Sequence, residues 1–188
     1  MDIVDKLLIS VCIVWIISEL VLNSRQRSND LSKDRSSLLV LMITNYGSAF
    51  LGAFIAVKKI YGNMLWGNQY LHLFGLILIV SGIVIRRTAI FTLKRQFTVN
   101  VAIVENHRVI DTGIYHYVRH PAYLGGMVSF LGLALYFGNW ISFILIFFPS
   151  CFAHLHRMAI EEKVLLDHFG AEYADYCRKT KRLIPGVY

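Results

Sequence analysis

A run of thirty-two residues without a charged side chain, Ala122 to Ala153, constrains this chain more than any other feature. A helix needs about twenty apolar residues to cross a ~30 Å hydrocarbon core, so the run is too long for a single crossing. In its middle stands "FGNW", Phe137 to Trp140, whose glycine and asparagine supply turn chemistry. The run therefore predicts two helices back to back in a hairpin. A second uncharged stretch, Leu38 to Val57, is twenty residues long and predicts another span. Ile3 to Leu22 is apolar apart from Asp5, Lys6 and Glu19, and Gln69 to Ile85 is apolar until Arg86 and Arg87 stop it; each predicts one more. With 56% hydrophobic and 16% charged residues in 188, the composition is that of one integral membrane domain, 1–188.

The fold class expected is an all-α membrane protein of about five transmembrane helices followed by a cytoplasmic helix. Orientation follows from the basic residues, because cytoplasmic loops carry the excess of Lys and Arg. With the N-terminus outside, sixteen of the nineteen fall on inner segments and three, Lys6, Lys58 and Lys59, fall outside. A multi-pass protein with a cytoplasmic C-terminus is expected. The formal net charge of +7 is then a matter of topology and of attraction to the lipid bilayer's anionic surface, and no nucleic acid partner is implied. The start "MDIVDKLL" lacks a basic n-region, so the first stretch is expected to remain as a span. Cys12, Cys151 and Cys177 are widely spaced and suggest neither a disulfide framework nor a zinc site.

Polar segments punctuate the spans. Asn23 to Ser37 is Ser-rich and has the composition of a cytoplasmic linker. After Arg87 a helix extension to Arg95 is expected on the inner side, and Phe97 to Val104, "FTVNVAIV", then alternates like a short strand or extended piece. Beyond Ala153, Ile160, Val164, Leu165 and Phe169 recur at the spacing of one amphipathic helix face. Two polar segments, Phe97 to Pro121 and His154 to Pro185, thus flank the hairpin on one side of the membrane. Polar groups beside a bilayer are costly and tend to be functional.

The densest cluster is "YHYVRHPAY", Tyr115 to Tyr123. His116 and His120 stand four apart, a metal-ligand spacing on a helix, but His120 precedes Pro121 and is pushed out of helical geometry, which argues against a metal. Pro121 suits the first turn of the fourth span, whose free N–H groups favour an anion, with Arg119 and His120 beside them. An interfacial aromatic belt of Tyr115, Tyr117 and Tyr123 is the plainer alternative. His154 and His156 point to different sides of a helix and are expected at the interface. Glu161 and Glu162, with Arg157 one turn away, would serve as a solvated ion-pair face.

Taken together, "HRVIDTGIYHYVRHPAYLGG" from His107, Asn139 with Trp140, "RMAIEEKVLLDHFGAEYADY" from Arg157 and the terminal "RLIPG" resemble the isoprenylcysteine carboxyl methyltransferase family, to which phospholipid methyltransferases are related. The resemblance covers residues 97–185, in order. It implies a membrane enzyme that takes its methyl group from S-adenosyl-L-methionine without a Rossmann domain. The implied cofactor-binding residues are His107, Arg108, Val109 and Ile110, then Tyr115, then His120, Pro121, Ala122 and Tyr123, with Glu162 from the last long helix and Asn100 where the family often carries Gln. Arg157 corresponds to the arginine facing the acceptor carboxylate, and with Glu162 forms the implied catalytic pair. The acceptor would be an amphiphilic, membrane-embedded molecule, a carboxylate of the isoprenylcysteine type first and a lipid hydroxyl or amine second. A non-enzymatic membrane scaffold and a nicotinamide-dependent membrane reductase remain the readings from other classes.

Overall fold

The computed structural model describes residues 3–25, 35–58, 61–64, 69–103 and 107–186. Six α-helices appear: α1 (Ile3–Arg25), α2 (Arg35–Val57), α3 (Gln69–Leu93), α4 (Pro121–Tyr136), α5 (Trp140–Phe169) and α6 (Ala171–Lys179). Four of these, α1, α2, α3 and α5, are long and apolar enough to cross a membrane. The chain is a multi-pass integral membrane protein. In place of a fifth full-length span stands α4, apolar but only 16 residues and so ~24 Å long. Phe50, Phe91 and Phe152, each at least 74% exposed, suit hydrocarbon surroundings and no aqueous ones.

The hairpin forms where the sequence places it. Gly138 takes a positive φ of 55°, and Asn139 caps α5 by accepting hydrogen bonds from the N–H groups of Ile141 and Ser142, both at 3.0 Å. A side-chain oxygen satisfying two orphan donors at a helix start explains why the turn is Gly-Asn. Beyond Arg86 and Arg87 the helix extension expected to Arg95 is present: α3 continues to Leu93 and ends in a 3-10 turn, Lys94–Gln96, with both arginines partnered on α1. The stretch expected as a short strand or extended piece carries no regular structure over 97–103, and no strand occurs among the described residues. Of the linker expected over Asn23 to Ser37, residues 23–25 end α1 and 35–37 begin α2, while 26–34 lie outside the described residues, as does the end of the extended piece, 104–106.

Small residues set the central contact. On α3 and α4, Gly75 faces Gly132 and Gly82 faces Gly125 and Ser129, so closely that the two backbones touch. Such pairing is how apolar helices gain contact in lipid, where burial from water drives nothing. The Ser129 hydroxyl adds hydrogen bonds to the Ile79 and Gly125 carbonyls at 3.2 and 3.0 Å. α5 packs against both α4 and α2, whereas α1 is held at few points. The Tyr136 hydroxyl donates to Asp5 at 2.8 Å, Trp15 lies edge-on to Phe130, and Glu19 accepts from Arg86 and Arg87.

Replacing Gly132 by Ala would put a Cβ 2.5 Å from the Gly75 carbonyl oxygen, with backbone on both sides and nothing to yield. Overpacking of this kind costs ~1–3 kcal/mol. Gly47, with nothing within 4 Å of an added Cβ, is the control. Thermal unfolding in detergent should show Gly132→Ala markedly destabilised and Gly47→Ala neutral or slightly stabilised.

Candidate active site

The N-terminus of α4 gathers the polar residues. Residues 180–183 run parallel to 117–120: the N–H of Arg119 donates to the Lys181 carbonyl at 2.8 Å and that of His120 to the Arg182 carbonyl at 3.1 Å. The terminal motif is thus a strap that fixes the residues before Pro121. Arg119 also donates from Nη1 to the carbonyls of Cys177 and Thr180, tying the strap to the end of α6. Glu162, on α5, accepts from Arg119 Nε at 3.1 Å, from Arg182 Nε at 2.9 Å and from Arg182 Nη2, with His120 Nε2 at 3.1 Å.

One residue earlier, Glu161 faces another way. It accepts from the Tyr123 hydroxyl at 2.7 Å, and that hydroxyl accepts from Arg157 Nε at 3.1 Å. Arg157, 2% exposed, donates further to Ser37 Oγ on α2 at 2.9 Å and to the Val99 carbonyl at 2.6 Å. The glutamates expected on a solvated face are instead built into the interior, because α5 and the 97–123 segment pack against each other.

Beside this network opens a cavity of about 270 Å³, near the lower end of the ~300–1,000 Å³ typical of small-molecule sites. It is lined by His107, Arg108, Val109, Ile110, Tyr115 and Tyr176, together with Val164, Leu165 and Phe169 of α5. The same cavity is lined by apolar residues of α1, Trp15, Ile16 and Leu20, and of α2, Leu41, Met42 and Ala49. His120, Tyr123, Arg157 and Glu161 line it too.

Of the sequence-predicted residues, His107, Arg108, Val109, Ile110, Tyr115, His120, Ala122, Tyr123 and Arg157 line this cavity together. Asn100, Pro121 and Glu162 are not on its wall: Asn100 is buried, Pro121 starts α4, and Glu162 lies in the ion cluster behind it. Tyr115 and Tyr123 belong to the interior, and only Tyr117 is exposed as a belt residue would be. His154, expected at the interface, is buried at 3% exposure because its Nδ1 bonds the Ser150 carbonyl at 2.8 Å and its ring packs on Tyr123 and Phe130. Glu19, Asn45, Arg86 and Glu161 line the cavity without having been given a role in the site. Charges inside apolar spans were the available signal for Glu19 and Arg86.

Burial holds the His107 imidazole below its ordinary pKa, with His168 pushing the same way and Glu161 opposing. The ring is therefore neutral at pH 7, and its buried Nδ1 has no hydrogen-bond partner among the described residues. Burial also raises the Tyr115 and Tyr176 phenols well above their ordinary range, and the Tyr176 hydroxyl donates to the Tyr115 carbonyl at 2.7 Å.

The two glutamates are separable by experiment. Glu162→Gln leaves the donors of Arg119 and Arg182 without an anion, a loss of roughly 2 kcal/mol or more for a partly buried cluster. Tryptic cleavage within the strap, at Lys179, Lys181 or Arg182, should accelerate. Glu161→Gln should leave that rate unchanged.

The profile of the phospholipid methyltransferase family matches residues 70–172. Protein-S-isoprenylcysteine O-methyltransferase B of Arabidopsis thaliana is 32% identical over 116 residues, 61% of this chain and 59% of that protein. The protein-S-isoprenylcysteine O-methyltransferase of Saccharomyces cerevisiae is 31% identical over 115 residues, 60% of this chain and 48% of the relative. The chain thus spans about half to three fifths of the length of the curated relatives it matches. The solved structure of the eukaryotic intramembrane Ras methyltransferase ICMT, an isoprenylcysteine carboxyl methyltransferase, superposes with a TM-score of 0.63 at 25% identity, covering 95% of this chain and 64% of that one. The matched segment takes in α3, the α4–α5 hairpin and the whole 107–123 wall of the cavity, and on it the chain belongs to the phospholipid methyltransferase family.

Proposed function

We propose that the protein transfers a methyl group from S-adenosyl-L-methionine to an amphiphilic acceptor taken from the bilayer, by carboxyl O-methylation of an isoprenylcysteine-like molecule. One observation carries this reading: a single cavity joins the polar 107–123 wall to the apolar faces of α1 and α2. A water-soluble donor and a lipid-like acceptor need such a junction. The named relatives, which are isoprenylcysteine O-methyltransferases, support the choice of acceptor. Sixteen of nineteen basic residues on one side support a cytoplasmic C-terminus and a cytoplasmic donor entrance.

The polar end fits the donor. Arg108 offers a cation for its carboxylate and Glu161 an anion for its ammonium. Tyr115, Val109 and Ile110 form an aromatic and apolar slot, and His107 Nδ1, without a partner among the described residues, would meet a polar group on the ring system. When bound, the donor supplies an electrophilic methyl group on sulfonium. An ionised carboxylate needs no general base, so the chain's task is to position the two reactants, a contribution for which effective molarities of ~10⁵ M or more are known. Glu162 and His120 act as positioning residues that hold the start of α4. Arg157, fixed by Tyr123, Ser37 and Val99, presents a rigid guanidinium at the junction, and an acceptor carboxylate there would share it with Ser37 or the Val99 carbonyl. A planar fork of this kind is not reproduced by lysine.

Calorimetry on the detergent-purified chain should show binding of S-adenosylmethionine and S-adenosylhomocysteine and none of NADPH. Arg157→Lys should lower methyl transfer to S-prenylcysteine acids by about tenfold or more while changing donor affinity little, in line with loss of a charge-assisted bond. A wild-type protein that binds neither donor nor product would leave a scaffold role; one that binds NADPH instead would leave the reductase reading.

A further inference from the structure

Two lysines of the strap region take no part in the ion cluster around Glu162. Of the basic side chains after Ala171, Arg178 pairs with Asp175 and Arg182 with Glu162. Lys179 and Lys181 are exposed, and neither has a carboxylate partner among the described residues. The surface beside them is in part apolar. Tyr117, whose carbonyl accepts from the Lys181 N–H at 3.4 Å, is 63% exposed, and Ile184 is 51% exposed.

The start of α4 sets the depth of this surface. α4 carries no charged residue from Pro121 to Tyr136, so the polar residues before Pro121 mark the edge of the hydrocarbon. The strap is bonded to those residues along its backbone, through the Arg119 and His120 N–H groups and a parallel bridge between Val118 and Lys181. It therefore lies at the level of the lipid headgroups. Tyrosine suits that level, and each lysine near an anionic membrane surface adds about fivefold in affinity. The same strap reaches the site, because Arg119 and His120 also meet Glu162, and His120 lines the cavity. Whatever holds the strap down holds the start of α4 with it.

We propose that this surface docks on anionic phospholipid headgroups of the adjoining leaflet, with Lys179 and Lys181 on the phosphates and Tyr117 and Ile184 in the interface, so that the bilayer keeps the strap closed on residues 117–120. Charge selects the lipid class: two ammonium groups without carboxylates favour an anionic headgroup over phosphocholine, which brings a cation of its own. Depth and the exposed tyrosine and isoleucine select a lipid over a soluble phosphate. The inference goes beyond the methyl-transfer reading and stands whichever molecule fills the cavity.

The test uses the full chain in lipid nanodiscs and reads hydrogen exchange of the 117–120 and 180–183 backbone. The Arg119, His120 and Lys181 amides are bonded across the strap, so they exchange when it opens, and a ligand that binds only the closed strap slows them. Exchange should be slower by about fivefold or more in bilayers containing phosphatidylglycerol than in pure phosphatidylcholine. The double variant Lys179→Gln/Lys181→Gln should lose that difference. Lys58→Gln, beyond the far end of α2, should keep it. Free glycerol 3-phosphate added to phosphatidylcholine nanodiscs should give no protection. Equal exchange in the two bilayers, or a lipid effect that survives in the double variant, overturns the docking surface. Protection by free glycerol 3-phosphate equal to that by the lipid also overturns it, since the surface would then be a soluble-anion site.

Discussion

One guanidinium joins the parts of this protein that make its cavity. Arg157 leaves α5 and is satisfied by Ser37 on α2, by Tyr123 in the first turn of α4 and by the Val99 carbonyl in the irregular segment after α3. A charge 2% exposed next to hydrocarbon persists only if every partner is in place. Irregular backbone at this depth is tolerated only where protein buries it or a cavity admits water. The Val99 carbonyl is one of the groups so satisfied, and the 97–103 segment is thereby held across the end of the helices as a wall of the cavity.

The other fixed point runs along the short helix α4 and into the turn after it. Glycines on α3 and α4 bring the backbones into contact, and Asn139 turns the chain directly into α5. α3, α4 and α5 thus form a rigid body that places Tyr123, Arg157 and Glu161 on one wall. α1 is attached differently. Its contacts include a hydroxyl to Asp5, the packing of Leu8, Val11, Cys12 and Trp15 against the core, and the Glu19 ion cluster. Its inward face nonetheless completes the apolar end of the cavity.

Features that depend on local chemistry were legible in the sequence. Pro121 begins α4, Gly138 and Asn139 make the hairpin turn, and the spans lie where charge is absent, because each follows from backbone preference or from the cost of charge in hydrocarbon. The wall from His107 to Tyr123 was legible as a motif. What escaped was side-chain direction. Glu161 and Glu162 are adjacent, about 100° apart around α5, so which one faces the cavity depends on how α5 is rotated against α4. Arg86 looked like the end of a span because its partner, Glu19, lies sixty-seven residues earlier on another helix. His154 looked interfacial because the Tyr123 and Phe130 rings that bury it belong to α4, a packing no local pattern encodes.

The central claim is that the acceptor's tail lies between α1 and α2 while its head meets Arg157. A farnesyl thioether acid carrying a diazirine at the tail end, photoactivated on the full chain in lipid nanodiscs and mapped by mass spectrometry, tests it most directly. The account predicts adducts on the inward faces at Trp15, Ile16, Leu41 and Met42, suppressed by excess unlabelled acid. Adducts confined to the outward residues Ile17, Val21, Ile43 and Phe50, unaffected by competitor, would contradict it.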